Sequence, residues 1–128
     1  EQTIDSLSMD EELKAEDIMT KKIISVKKDT KIKEIINLLT KNEISQVPVI
    51  EKDIPIGLVT EASILACDDK ITKTAEDVMV ESPPIISKNA RISVIKSLLQ
   101  FYPIVLIKES EKFVGVITKA NILKHLIK

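Results

Sequence analysis

A nine-residue pattern that occurs twice constrains this chain more than any other feature. Gly57-Leu58-Val59-Thr60-Glu61-Ala62-Ser63-Ile64-Leu65 returns as Gly115-Val116-Ile117-Thr118-Lys119-Ala120-Asn121-Ile122-Leu123, with five of the nine positions identical. In each copy an apolar pair leads from glycine to threonine, and a helical pattern starts with the threonine at the N-cap, so the stretch reads as a strand running into a helix. Upstream, Glu16-Asp17-Ile18-Met19 recurs as Glu76-Asp77-Val78-Met79. Ile32, Ile35, Leu38 and Leu39 recur sixty residues on as Ile92, Ile95, Leu98 and Leu99. Gly57 returns only 58 residues later, at Gly115, so the second copy is two residues shorter between its long helix and its last strand pair. Repetition of this kind decides architecture before any local detail does.

Within a copy the signals run short helical turn, strand, helix, two strands, helix. Ile24-Ser25-Val26 is a short β-type run, Asp29 and Thr30 supply a helix start, and Ile32, Ile35, Ile36 and Leu39 follow at helical spacing. Val47 to Ile50 reads as a strand, Glu51 to Pro55 as a polar turn, and Ile56 to Thr60 as the antiparallel partner. Pro48 cannot donate to a ladder, so its strand lies at a sheet edge or leaves that position unpaired. The second copy repeats the order with Pro83-Pro84 before Ile85-Ile86, a helix from Arg91 to about Gln100, strands near 104–107 and 113–118, and a last helix carrying Ile122, Leu123, Leu126 and Ile127. Residues 1–15 read as a polar lead-in or linker with only Ile4, Leu7, Met9 and Leu13 to pack, 16–68 as the first repeat and 76–128 as the second. One copy alone is too small and too one-sided to stand in water. The expectation is therefore an α/β fold of two β-α-β-β-α repeats packed about a pseudo-two-fold axis.

These features together resemble a tandem pair of cystathionine β-synthase (CBS) domains, over residues 16 to 127. The resemblance rests on the Asp-Ile-Met or Asp-Val-Met opening, the Val47-Pro48-Val49 strand, and the Gly-apolar-apolar-Thr ending that closes on Ile-Leu. It implies a module that holds an adenosine derivative in the cleft between the repeats and regulates an attached or partner effector domain. It also implies site residues. In the first copy these are Ser25, Val26, Val47, Pro48, Val49, Thr60 and Ser63; in the second they are Ile85, Ile86, Ile104, Val105, Thr118, Lys119 and Asn121. The family often has an aspartate gripping the ribose three residues after the motif threonine. Here those positions are Ser63 and Asn121, and Ile104-Val105-Leu106 stands for the valine-proline-valine strand, so the grip is weakened in both copies.

Charge bears on which ligand is expected. Glu61 follows Thr60, and a carboxylate beside a phosphate in a partly buried cleft costs roughly a few kcal/mol at intermediate dielectric. Lys119 accepts either a phosphate or a carboxylate, and Ile85, Ile86 and Val105 supply an apolar wall. S-adenosylmethionine or methylthioadenosine is accordingly expected ahead of AMP or ATP. The alternative function is a structural dimerisation module whose nucleotide sites have decayed. A homodimer through the helices is expected in either case, since Ile36, Leu38, Leu126 and Ile127 exceed what one core stripe requires.

The remaining chemistry is sparse. His125 is the only histidine and Cys67 the only cysteine, so they support neither a metal site nor a nucleophile with its base, and an internal disulfide is impossible. Glu16-Asp17 and Glu76-Asp77 sit where acidic residues favour a helix start, and Asp68-Asp69 reads as a solvated loop. Two glycines exclude a glycine-rich phosphate loop, and three aromatic residues leave no stacking platform for single-stranded nucleic acid. With 19 basic against 20 acidic residues no uniform field attracts nucleic acid or an anionic membrane. No apolar run reaches spanning length. The expectation is a cytoplasmic, non-catalytic module without a cofactor or metal, cut or processed from a longer protein.

Overall fold

Two antiparallel hairpins form the frame of the computed structural model, which describes residues 13–126. The lead-in residues Ile4, Leu7 and Met9, and Ile127 of the last stripe, lie outside the described residues. In chain order the elements are α1 (Ala15–Ile18), α2 (Ile32–Asn42), β1 (Gln46–Glu51), β2 (Ile54–Thr60), α3 (Glu61–Leu65), α4 (Ala75–Val78), β3 (Ile85–Ser87), α5 (Ile92–Leu98), β4 (Ile104–Glu109), β5 (Lys112–Thr118) and α6 (Lys119–Leu126). They divide into two compact units. Ile24–Pro83 makes one, and residues 13–23 with 84–126 make the other. The units are cut differently from the sequence copies, because the helical turn that opens each copy packs with the body of the other copy.

In the first unit α2 buries Ile32, Ile35 and Leu39 at i, i+3 and i+7, one face of a helix, against Val47, Val49 and Val59 of the hairpin. Leu38, expected to be spare, packs partly against this core, while Ile36 stays exposed. The helix starts later than Asp29 and Thr30 suggest. Its N-cap is Lys31, and Thr30 instead accepts a bond from the Lys27 N–H and forms a turn. At its end Glu43 takes a left-handed conformation, φ 53°, and the Glu43 and Ile44 N–H groups both return to the last turn. The second unit has no such turn: Leu99 stays right-handed. The missing pair of residues falls between α5 and β4, where the first unit has this left-handed exit.

The hairpin β1–β2 turns at Lys52 and Asp53, both with positive φ, the geometry of a two-residue connection that matches strand twist. Pro48 faces Leu58 across the ladder, and its nitrogen side faces the segment before Val26. The Val26 N–H donates to the Pro48 carbonyl, and the Ile50 N–H to the Val26 carbonyl. Expected as a strand, Ile24-Ser25-Val26 is thereby reduced to a single bridge at Val26–Val49. The second unit shows why. There Leu106 occupies the proline's place, its N–H donates to the Pro84 carbonyl at 2.9 Å, and Ile85–Ser87 runs as a true parallel strand beside β4.

The opening turns complete both units in the same way. Ala75 is fully buried, its N–H donates to the Thr30 carbonyl, and Val80 exchanges both backbone hydrogen bonds with Leu58. Ala15 is likewise fully buried, its N–H donates to the Ala90 carbonyl, and Thr20 exchanges both bonds with Val116. Asp17 and Asp77 anchor these turns, each accepting the N–H three residues back, from Lys14 and Thr74. Those bonds from Thr74 hold the Asp77 carboxyl below its ordinary value. Met79 and Met19 then lie directly on Gly57 and Gly115, so the two glycines are required for close approach and not for their backbone angles.

The three atoms nearest a Cβ at Gly57 all belong to the Met79 side chain, whereas those nearest one at Gly115 include the Thr20 carbonyl oxygen at 2.9 Å. A methionine can swing aside; paired backbone cannot. Gly115→Ala is therefore expected to destabilise the protein by about 1–3 kcal/mol, and Gly57→Ala by less. Chemical denaturation of both variants checks the order, and equal losses would contradict it.

Candidate functional site

The motif threonines end β2 and β5, where the chain turns from ladder into helix, and both lie partly buried. Thr60 caps α3: its Oγ1 accepts the Ser63 N–H at 3.0 Å, and Ser63 Oγ accepts the Thr60 N–H at 2.9 Å. Ser63 also donates its hydroxyl proton to the Thr60 carbonyl at 3.0 Å. The serine is thus folded back onto the turn that it helps to cap. The Thr60 hydroxyl proton has no acceptor among the described residues, so this group keeps a donor in hand.

At the equivalent place in the other unit the side chain is fully engaged. Asn121 Oδ1 accepts the Thr118 N–H at 2.9 Å and the Thr118 hydroxyl at 3.2 Å. Asn121 Nδ2 donates to the Ile18 carbonyl at 2.9 Å and to Thr20 Oγ1 at 3.0 Å. A primary amide offers two donors and two acceptor lone pairs, and all four are used. Asn121 ties the 13–20 segment to the start of α6. Where this unit pairs Thr20 with Asn121, the other carries Val80 and Ser63, so the two positions change together.

The other residues singled out in the sequence distribute as follows. Val47, Val49 and Val105 are fully buried within the two hydrophobic cores, and Pro48 is fully buried outside its unit's core cluster. Val26 is buried, Ser25 exposed, Ile85 exposed, and Ile86 packs partly against the core. The register aligns Val47-Pro48-Val49 with Val105-Leu106-Ile107, since Val49 faces Gly57 and Ile107 faces Gly115. The counterpart of Val47 is therefore Val105 and not Ile104, a one-residue correction that matters because adjacent strand residues face opposite sides. Glu61 and Lys119 are both exposed in the first helical turn.

Ile18 and Thr20 were missed as site neighbours. The signal was available, in the Thr20-to-Val80 change between copies that parallels Asn121 to Ser63, but backbone acceptance by Ile18 leaves no mark in sequence. Cys67 is half-buried with its Sγ 3.2 Å from the Asp69 carbonyl oxygen. Asp69 accepts bonds from the Ile71 and Thr72 N–H groups and from the Thr72 hydroxyl, and these bonds, the last above all, hold its pKa down. His125 is half-buried in the last turn of α6. Among the described residues no group of three or more His, Cys, Asp or Glu side chains could hold a metal ion, and no helix is long and apolar enough to cross a membrane.

The substitution that separates a latch from a free polar group is Asn121→Asp. It keeps an acceptor for the Thr118 N–H and loses both donors. Amide exchange at Thr20 and Val116 is expected to speed by roughly tenfold, the equivalent of about 1–2 kcal/mol for two lost bonds. Val80 should be unaffected. Unchanged exchange at Thr20 would show that Asn121 does not hold this segment.

Comparison with known proteins fits this geometry. The CBS domain model matches residues 15–69 and again 75–128, so the chain belongs to the CBS domain family. It is 27% identical over 118 residues to the inosine-5'-monophosphate dehydrogenase of Methanocaldococcus jannaschii, covering 88% of this chain but 23% of that protein. The chain spans less than half the length of the curated relatives it matches. Among solved structures it is similar to the CBS domain of a bacterial CNNM/CorC family Mg2+ transporter in complex with ATP, with a TM-score of 0.82, 19% identity, and 97% and 94% of the two chains covered. It is also similar to CBSX2 in complex with AMP, with a TM-score of 0.76, 21% identity, and 89% and 96% covered.

Proposed function

We propose that this pair of CBS domains is a ligand-sensing regulatory module that takes an adenosine derivative and acts on an attached or partner effector domain, with no catalysis of its own. Membership of the family over both copies supports the reading, as do relatives described with AMP and with ATP. Curated relatives far longer than the matched stretch are in keeping with an effector elsewhere in the protein. The observation that carries it locally is the unpartnered hydroxyl proton of Thr60, at the position that the family resemblance assigns to ligand contact. Asn121, with its hydrogen bonds all committed, favours a second reading: a structural dimerisation module whose sites have decayed.

The charge beside Thr60 narrows the ligand. Glu61 is exposed, so water screens part of its repulsion, which at about 4 Å from a phosphate is on the order of 1 kcal/mol in water and several times that in a drier site. Sulfur nucleosides such as S-adenosylmethionine and methylthioadenosine avoid this cost. Calorimetric titration of S-adenosylmethionine, methylthioadenosine, AMP and ATP under one salt condition is expected to rank ATP last, and Thr60→Val to weaken the best ligand. Tighter binding of ATP than of the sulfur nucleosides would overturn the charge argument, and binding of none would leave the structural reading.

The same reading includes a homodimer through helical faces, in a reducing cytoplasm suited to the lone Cys67. Ile36, Leu65, Leu123 and Leu126 are large apolar residues left exposed on helices α2, α3 and α6. Light scattering is expected to give twice the chain mass at micromolar concentration; a monomer with and without nucleotide would remove the dimer.

A further inference from the structure

The groove between α5 and α6 has an apolar floor and a basic rim. Its volume is about 430 Å³, with Leu99, Ile122 and Leu123 below, Lys96, Gln100 and Lys119 around them, and no carboxylate among the described residues that line it. Leu123 is 61% exposed. The groove between α2 and α3, of about 630 Å³, has the opposite sign, since Glu43 and Glu61 edge it over Leu39, Ile64 and Leu65. One basic residue reaches that acidic groove. Lys70, from the segment that leads into α4, lines it and donates its ammonium to the Cys67 carbonyl at 2.7 Å. The lead-in of one repeat thus lies along a groove of opposite charge.

The other repeat is entered in the same way. The Ile32 N–H donates to the Lys73 carbonyl and the Ile92 N–H to the Leu13 carbonyl, both at 3.3 Å, so each lead-in is tied to the first residue of its unit's long helix. Sixty residues before Lys70 stands Asp10, so the charge of the lead-in reverses along with the charge of the groove. Residues 1–12 hold five of the chain's 20 acidic residues, Glu1, Asp5, Asp10, Glu11 and Glu12, and none of its 19 basic ones. They also carry the apolar Ile4, Leu7 and Met9. Reach is ample: Ile92 to Gln100 is about 12 Å at helical rise, and twelve residues can span about 40 Å.

We infer that residues 1–12 dock on the α5–α6 groove of their own chain as an acidic strap, with apolar side chains over Ile122 and Leu123, carboxylates toward Lys119, and Asp10 in the place that Lys70 holds in the other unit. Charge selects the groove, because the same segment laid between α2 and α3 would set its carboxylates against Glu43 and Glu61. Docking is independent of which ligand the module takes. It withdraws Leu123 from the surface open to a second copy, and it weakens as salt rises, because the paired charges lie on an exposed rim.

A nitroxide attached at Ser8→Cys in the full chain, with Cys67→Ser so that no other thiol reacts, reads the contact through paramagnetic broadening of backbone amide signals. Broadening is expected at Leu99, Ile122 and Leu123. Broadening at Ile64 and Leu65 instead, or at neither groove, overturns the inference. A nitroxide-bearing chain without nitrogen-15 is then mixed with a nitrogen-15 chain that carries no label. Broadening in that mixture equal to that of the singly labelled sample shows docking on a second copy and overturns the strap within one chain; its absence supports it. As a second measurement, Asp10→Lys and Lys119→Glu are each expected to lower the docking equilibrium constant by roughly threefold, the scale of an exposed pair. The double variant should return to within about twofold of the parent. A double variant docked as weakly as the single ones overturns the charge pairing. Ile4→Asp combined with Leu7→Asp is expected to abolish the broadening, and its persistence overturns the apolar contact.

Discussion

Each unit of this protein depends on a borrowed edge. Strand β2 has β1 on one side and needs a partner for Leu58 on the other; Val80 supplies it through two backbone hydrogen bonds. Strand β5 receives the same service at Val116 from Thr20. Buried backbone groups must be paired, and in both cases the partner comes from the opening turn of the other sequence copy. The contact is close enough that only glycine fits beneath each methionine, which is why Gly57 and Gly115 head the repeated motif. The glycine, the methionine and the aspartate that caps the short turn form one device, used twice.

That device also determines what is available at the ends of β2 and β5. In one unit the borrowed segment brings Ile18 and Thr20 within reach of Asn121, which spends its whole hydrogen-bonding capacity holding it. In the other the segment brings Val80, and Ser63 turns back to complete the cap of α3. Two sites that look equivalent in the repeat are therefore chemically unequal. One has a hydroxyl proton to offer, and the other offers a saturated amide. The inequality arises because the two copies carry different side chains at these positions, Ser63 against Asn121 and Val80 against Thr20.

Divergence on the helical faces has a comparable effect. The apolar residues between each helix pair, Leu39 with Ile64 in one unit and Leu99 with Ile122 in the other, recur because they continue the packing stripes, while the exposed residues around them are free to change without cost to the core. Glu61 against Lys119 is such a change.

Much of this was legible in the sequence. The repeat, the strand-turn-helix around each threonine, the apolar stripes of α2 and α5, and the helix-start role of Asp17 and Asp77 all follow from periodicity and capping, which act over three or four residues. Pro48 announced an unpaired position by its own chemistry. Tertiary structure decided the rest, for reasons that no local pattern carries. That Ala15–Ile18 and Ala75–Val78 would each complete the other copy's unit depended on which edge had an unpaired Leu58 or Val116, and the partners lie beyond the reach of local pattern, Val80 for Leu58 and Thr20 for Val116. The shrinkage of Ile24-Ser25-Val26 to one bridge depended on which side of β1 the proline nitrogen faced. The one-residue register that aligns Val105 with Val47 depended on the position of a glycine across the hairpin. Asn121 looked like a ligand residue because its type and spacing suited one, and only its four hydrogen bonds, two of them to residues more than a hundred positions away, made it a latch.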